Sequence, residues 1–231
     1  MYMDVLVKYL NKYSFTRISA TIRPPIVIHC VPGAGKTSLI REIIREDSRF
    51  AAFTCGVPDK PNLEGCWIQK IPESFPHDKF ILIDEYTLSS VNFEAFAVFG
   101  DPLQSNLSIP LQANFICKFS HRFGVNTAAF LQGLGHEVEA IGTDIVTIGD
   151  IYQIEPEGQI IFFEKEIGKL LCDHGVEAKS VEEVVGQTFE CVTFVTTENQ
   201  PLIDPVATFQ CVTRHRKKLI VLCPNATYTP T

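Results

Sequence analysis

The chain has 231 residues, 45% of them hydrophobic and 20% charged, with a formal net charge of −7. That balance excludes a disordered chain, and the acidity excludes a protein that coats nucleic acid by bulk charge, so any nucleic-acid site has to be a local groove. No apolar run approaches the roughly 18 residues that span a membrane, and the segment Met1 to Tyr13 lacks the pattern of a secretory signal.

Strand-length apolar runs alternate with helical patterns, which predicts an α/β fold with mostly parallel sheets. Ile26–Cys30 reads as a strand, followed at once by a glycine loop. The next segment, with Leu39, Ile40, Ile43 and Ile44 on one face, reads as a helix. Ala51–Cys55 reads as a second strand, and 58–76, rich in proline and glycine, as irregular. Phe80–Ile83 has no polar alternation, the mark of a central parallel strand. Ala95–Phe99 is another strand, ending in Gly100-Asp101-Pro102. Further strands are expected over Phe115–Phe119, Ile160–Phe163, Glu190–Val195 and Leu219–Leu222, and helices over Thr127–Gln132, Glu166–Cys172 and Val206–His215. The last has Asp204 as N-cap and Pro205 at its first position. A break near Leu111–Asn114 divides the chain into an N-terminal segment 1–20 and two similar parts, 21–112 and 113–231. The eight cysteines never fall in Cys-x-x-Cys spacing and read as reduced, mostly buried small hydrophobes of a cytosolic protein, not as zinc ligands or a disulfide frame.

The chemistry concentrates at the ends of the strands. Val31-Pro32-Gly33-Ala34-Gly35-Lys36-Thr37-Ser38 lies between a strand and a helix, the setting in which a phosphate-loop match has meaning. Its glycines let backbone N–H groups converge on phosphate oxygens, and the helix N-terminus adds partial positive charge. Lys36 is the expected partner of the β/γ-phosphates, and Thr37 the expected hydroxyl ligand of Mg²⁺. The strict pattern has a glycine where Cys30 stands. Asp84-Glu85 follows the Phe80–Ile83 strand: Asp84 is assigned to the metal and Glu85 to the attacking water. Gly100-Asp101-Pro102-Leu103-Gln104 is a rigid turn ending in an amide, suited to sensing a γ-phosphate, with an ordinary Asp-Pro turn as the plain alternative. In the second half, Arg122 and Arg214 stand at element ends, where an arginine can stabilise phosphoryl transfer. Taken singly, each also reads as a solvated surface residue. On these residues, Lys36→Ala is expected to fold normally and to lose hydrolysis.

Taken in order, CVPGAGKT, LIDEY, GDPLQ, SHRFG, VVGQTFECVTFV and VATFQCVTRHRKKLIVL resemble the six motifs of the superfamily 1 helicases of positive-strand RNA viruses, from about Ile26 to Leu222. The opening Met3-Asp4-Val5-Leu6 and the segment Thr54-Cys55-Gly56-Val57-Pro58-Asp59-Lys60 are similar to the first triple gene block proteins of carlaviruses and potexviruses. The resemblance implies two RecA-like lobes with parallel sheets, a P-loop NTPase fold, with the nucleotide in the cleft and RNA lying across both lobes. It implies an ATP- or NTP-hydrolysing, RNA-binding protein that uses Mg²⁺, assists cell-to-cell transport of viral RNA through plasmodesmata and suppresses RNA silencing from the host cytoplasm. Residue by residue, it assigns Gly33, Gly35, Lys36 and Thr37 to phosphate, Asp84 and Glu85 to metal and water, Gln104 to the γ-phosphate, and Arg122 and Arg214 to the arginines of the second lobe. Implied partners are single-stranded viral RNA, a second copy of the chain, other viral movement proteins, coat protein and host silencing factors. Two other readings stay open on the residues: an NTP-gated RNA-binding protein that unwinds nothing, and a small-molecule P-loop kinase. The kinase leaves GDPLQ and the two arginines unexplained.

Overall fold

The computed structural model describes residues 2–89, 93–104 and 109–229, and the chain divides into two compact units, Met1–Phe119 and Ser120–Thr231. In the first unit, helix α1 (Tyr2–Lys12) and the short strand β1 (Thr16–Arg17) precede strand β2 (Ile26–Cys30), helix α2 (Lys36–Glu46) and strand β3 (Phe50–Thr54). Strands β4 (Gln69–Lys70), β5 (Phe80–Asp84), β6 (Ala97–Gly100) and β7 (Phe115–Cys117) complete a sheet in the order β1-β7-β2-β6-β5-β3-β4. Every pairing in it is parallel except the edge pair of β1 with β7.

The apolar runs of β2, β5 and β6 are continuous because both faces of these strands are buried. Val27, Phe53, Ile81, Ile83 and Val98 pack on one side. Ile26, Ile28, Leu82, Ala97 and Phe99, the residues that alternate with them, are equally buried. Parallel order sends the C-terminal ends of β2, β6 and β5 to one edge of the sheet. In open α/β sheets that edge is where ligands bind, and here it carries the glycine loop, Asp101 and Asp84.

In the second unit, strand β8 (Phe119–Ser120) lies where the chain passes from one unit to the next. It is followed by α3 (Val125–Gly133), β9 (Glu139–Ala140), β10 (Ile145–Gly149), β11 (Gln159–Phe162), α4 (Lys165–Asp173), β12 (Lys179–Ser180), β13 (Phe189–Val195), α5 (Pro205–Val212) and β14 (His215–Leu222). The sheet order is β10-β14-β13-β11-β12, parallel throughout. Ile160, Ile167, Leu171, Val195, Ile220 and Leu222 form a core between α4 and this sheet. Asp204 caps α5 as expected, accepting from the N–H groups of Val206 (3.1 Å) and Ala207 (2.9 Å).

Three expectations shift. Residues 115–117, placed in the second part by sequence, pair as β7 with β2, because Phe115 and Cys117 are core residues of the first sheet. The segment 1–20 is not separate: α1 packs on α2. Helix α5 stops at Val212, short of His215. There the Thr213 hydroxyl turns back to the Phe209 carbonyl at 2.8 Å, and the next residues join β14. All eight cysteines are free, four of them buried. Among the described residues no helix is long and apolar enough to cross a membrane.

Candidate nucleotide-binding site

The glycine loop is built from the chain's own stereochemistry. Gly33 (φ 80°) and Gly35 (φ 87°) are both left-handed, a conformation only glycine adopts freely. Val31 N–H donates to the Cys117 carbonyl at 3.0 Å, and Ala34 N–H donates to the Val31 carbonyl at 3.2 Å, folding the loop back on itself. Cys30, at the position where the strict pattern has glycine, is the last residue of β2 and has no positive φ, so a side chain fits there. Pro32 and Ala34 are buried, and Ser38 is exposed on the first turn of α2. Gly35 is the N-cap of α2 without a side-chain cap, and the first turn holds no acidic residue. The partial positive charge of the helix end is therefore left for a ligand.

Lys36, Thr37, Asp84 and Glu85 come together. The Lys36 ammonium donates to Asp84 Oδ1 and to Glu85 Oε1, each at 2.7 Å, and the Thr37 hydroxyl donates to Asp84 Oδ2 at 3.1 Å. Lys36 and Asp84 are buried, with side chains 10% and 5% exposed; Glu85 is 31% exposed. Burial alone would lower the Lys36 pKa. The charges of Asp84 and Glu85 outweigh it and hold the ammonium above its ordinary value, firmly protonated. Glu85 is a non-glycine residue at φ 53°, a strained conformation that turns its side chain off the end of β5. Gly56 makes room for it, since a Cβ there would sit 3.3 Å from Glu85 Cγ. Tyr86 braces the same corner: its hydroxyl meets His29 Nε2 at 2.6 Å and accepts from Leu111 N–H at 3.2 Å, fastening the turn after Glu85 to β2. Burial lowers the His29 pKa to about 4, so that ring is neutral.

Gln104 is fixed by a residue that sequence reasoning gave no role. Its amide donates to Asp101 Oδ2 at 2.6 Å, while Leu103 N–H donates to Asp101 Oδ1 at 3.0 Å. Asp101 is 2% exposed, and burial raises its pKa to about 6 against these two bonds; it also feels the charges of Glu85 and Lys36. The turn therefore ties Gln104 electrostatically to the lysine–carboxylate cluster. The available signal was an acid directly after a fully buried strand.

In the second unit, Arg122 reaches the backbone directly before Arg214. Arg122 Nη1 donates to the Thr213 carbonyl at 3.1 Å, next to Arg214 in sequence. Arg214 is only 3% exposed, whereas Arg216 and Lys217 are exposed, so it is not part of a solvated basic patch. A second link holds the same two segments: Thr127 Oγ1 meets His215 Nε2 at 2.8 Å, with the Asp144 carboxylate 3.7 Å from that nitrogen. Asp144 in turn accepts from the N–H groups of Asn126 (2.9 Å) and Thr127 (3.2 Å), capping α3. His215, Thr127 and Asp144 were not singled out from the sequence. They set the backbone on which both arginines stand.

The donor set fits a nucleotide with a hard cation. A hydroxyl and a carboxylate lie side by side in Thr37 and Asp84, a pairing suited to Mg²⁺, and the two left-handed glycines form the type of nest that takes phosphate. Residues 26–223 match the family model of the viral superfamily 1 RNA helicase core domain. The chain is 46% identical over 227 residues to the movement and silencing protein TGBp1 of Lily symptomless virus, covering 98% of this chain and 99% of that protein. With TGBp1 of Chrysanthemum virus B it shares 48% over 233 residues, covering 99% and 100%. With TGBp1 of Potato virus X (strain CP) it shares 34% over 200 residues, covering 84% and 86%. Among solved structures, the helicase nonstructural protein 10 of an arterivirus superposes with TM-score 0.56 at 16% identity, over 96% of this chain and 56% of that one. The same helicase in complex with DNA gives TM-score 0.55. The chain thus spans just over half the length of these helicases, and the likeness is one of fold.

Proposed function

The chain belongs to the viral superfamily 1 RNA helicase family and, within it, to the TGBp1 movement and silencing proteins, and from that premise we propose that it hydrolyses ATP or another NTP as it grips single-stranded viral RNA. It is an RNA-binding, helicase-like movement protein. The observation that carries the hydrolytic reading is the Lys36 ammonium held by two carboxylates at the mouth of a left-handed glycine loop.

In this reading the N–H groups from Gly33 to Ser38 and the Lys36 ammonium bind the β- and γ-phosphates. Thr37 and Asp84 hold Mg²⁺, which when bound neutralises phosphate charge. Glu85, the more exposed carboxylate, takes a proton from the attacking water as its oxygen bonds to the γ-phosphorus and the bond to the β-phosphate oxygen breaks. Gln104 reports on the γ-phosphate, held by Asp101. Arg122 and Arg214 stabilise the charge that spreads over the transferring group. The work is done in the host cytoplasm and at plasmodesmata, with self-association, coat protein, other movement proteins and host silencing factors as the partners to be tested. Glu85→Gln is the direct test: the variant should keep nucleotide affinity and lose turnover. Wild-type turnover in that variant would remove Glu85 from the role, and loss of binding would make it a structural residue.

A further inference from the structure

Helix α1 lies ahead of residues 26–223, the stretch that matches the helicase core, and none of the six motifs includes it. It is nevertheless fastened along α2, the helix that begins at Lys36. Leu6 and Leu10 are fully buried and Tyr9 is 5% exposed. Lys8 Nζ pairs with Glu46 at 2.7 Å and Lys12 Nζ with Glu42 at 2.5 Å. The Tyr9 hydroxyl donates to Glu46, and the Tyr13 hydroxyl donates to Glu42 Oε1 at 3.1 Å. The ion pairs are exposed and contribute little; the buried leucines and the two tyrosines hold the helix down.

At the end of this fastening stands a contact with the phosphate loop. A Cβ built on Gly35 would lie 2.8 Å from Tyr13 Cδ1 and 2.9 Å from Cε1. The tyrosine ring therefore fills the volume beside Gly35 that a side chain would otherwise take. Gly35 is left-handed and directly precedes Lys36. Glycine enters that conformation easily and leaves it as easily, whereas an anion nest works only while successive N–H groups stay aimed at one point. A ring packed on the Gly35 α-carbon limits that motion. It stiffens the loop from outside it.

We infer that Tyr13 is a positioning residue for the phosphate loop, and that α1 is the element that delivers it. This rests on the nucleotide reading of the loop. It predicts a loss of phosphate affinity with little change in the chemical step, because the ring packs on Gly35 of the phosphate loop, which holds the nucleotide and moves no proton.

The test measures Mg·ADP affinity by calorimetry, KM and kcat for Mg·ATP, and the unfolding temperature, in Tyr13→Phe, Tyr13→Ala, Tyr13→Leu and Lys36→Ala. Tyr13→Phe keeps the ring and loses only the bond to Glu42, so it should match wild type within about twofold. Tyr13→Ala should weaken Mg·ADP and raise KM by about five- to tenfold, the scale of one lost aromatic contact, with kcat within about twofold. Tyr13→Leu retains apolar bulk for docking α1 but no flat ring, and should show the same KM effect in a stably folded protein. Wild-type KM in both Tyr13→Leu and Tyr13→Ala would overturn the inference, as would an equal loss in Tyr13→Phe, which would trace the effect to helix docking. If Lys36→Ala bound Mg·ADP like wild type, the nucleotide reading itself would fall. If Lys36→Ala lost binding and the Tyr13 variants did not, only the role of Tyr13 would fall.

Discussion

Lys36→Met removes one charge and keeps the aliphatic stem, which isolates what the ammonium contributes to the fold. In the folded protein that ammonium lies 2.7 Å from each of two carboxylates, and one of them, Asp84, is only 5% exposed. Breaking a buried pair from one side costs about 3–5 kcal/mol, because the remaining charge is left without compensation. Glu85 is 31% exposed and can regain water, so most of the cost falls on Asp84. For the first unit this corresponds to a fall of about 10 °C or more in unfolding temperature. The sequence-based expectation that Lys36→Ala folds normally is thereby revised: it carries the same electrostatic loss and adds a cavity.

The pH dependence fixes the mechanism. Burial already raises the Asp84 pKa above its ordinary value against the pull of the Lys36 ammonium, and removing that ammonium raises it further. A carboxyl raised in this way contributes stability below the unfolded pKa that is lost as pH rises through the folded pKa. The deficit against wild type should therefore be larger at pH 7.5 than at pH 5. In Lys36→Met/Asp84→Asn the buried charge is gone, and the double variant should be more stable than Lys36→Met alone. Thermal unfolding without nucleotide at the two pH values is the assay. An unfolding temperature within about 2 °C of wild type, or a double variant with strictly additive losses, would refute the reasoning.

Asp101→Asn tests the buried acid behind Gln104. Its folded pKa of about 6 lies above the ordinary 3.8, so wild type should lose roughly 3 kcal/mol of stability from this group between about pH 4 and 6. The variant's stability profile should be flatter across that window, and an unchanged slope would count against it. Arg214→Ala should bind Mg·ATP about as well as wild type and turn it over about 10³-fold more slowly, with no rescue by Arg214→Lys, whose point charge lacks the planar fork. Reduced RNA binding with unchanged RNA-free turnover would assign Arg214 to RNA instead. His215→Asn removes the ring that meets Thr127 Oγ1. Its effect on turnover should not add to that of Arg214→Ala if the ring acts by setting the Arg214 backbone, and independent losses measured in a double-mutant cycle would separate the two.

Much of the architecture was legible because local and global signals agree. Continuous apolar runs gave β2, β5 and β6, and the Asp204-Pro205 pair marked the start of α5. Lys36, Thr37, Asp84 and Glu85, singled out as residues at strand ends, do come together. What was missed depends on tertiary contact. Strand β10 was missed although Ile145-Val146-Thr147-Ile148 is a β-branched run ending at Gly149; it is short and only part-buried, and its pairing with β14 places it in the sheet. By sequence His215 reads as the end of the α5 helix, and the basic run Arg216 to Lys218 has no assigned element. Both are strand because His215 is buried against Thr127 and Phe123, while Lys217 and Lys218 pair with Glu190 and Glu157. No spacing in the sequence relates Tyr13 to Gly35, or Arg122 to Thr213; folding alone brings them together.

The central claim is that this chain couples NTP hydrolysis to a single RNA strand, and it is tested most directly by steady-state ATP turnover measured with and without single-stranded RNA, for wild type beside Glu85→Gln. Wild type should show Mg²⁺-dependent turnover that rises with RNA, and Glu85→Gln should show turnover reduced by about 10²-fold or more with RNA binding retained. RNA binding with no ATP turnover in wild type, or turnover indifferent to RNA and to Glu85, would contradict it.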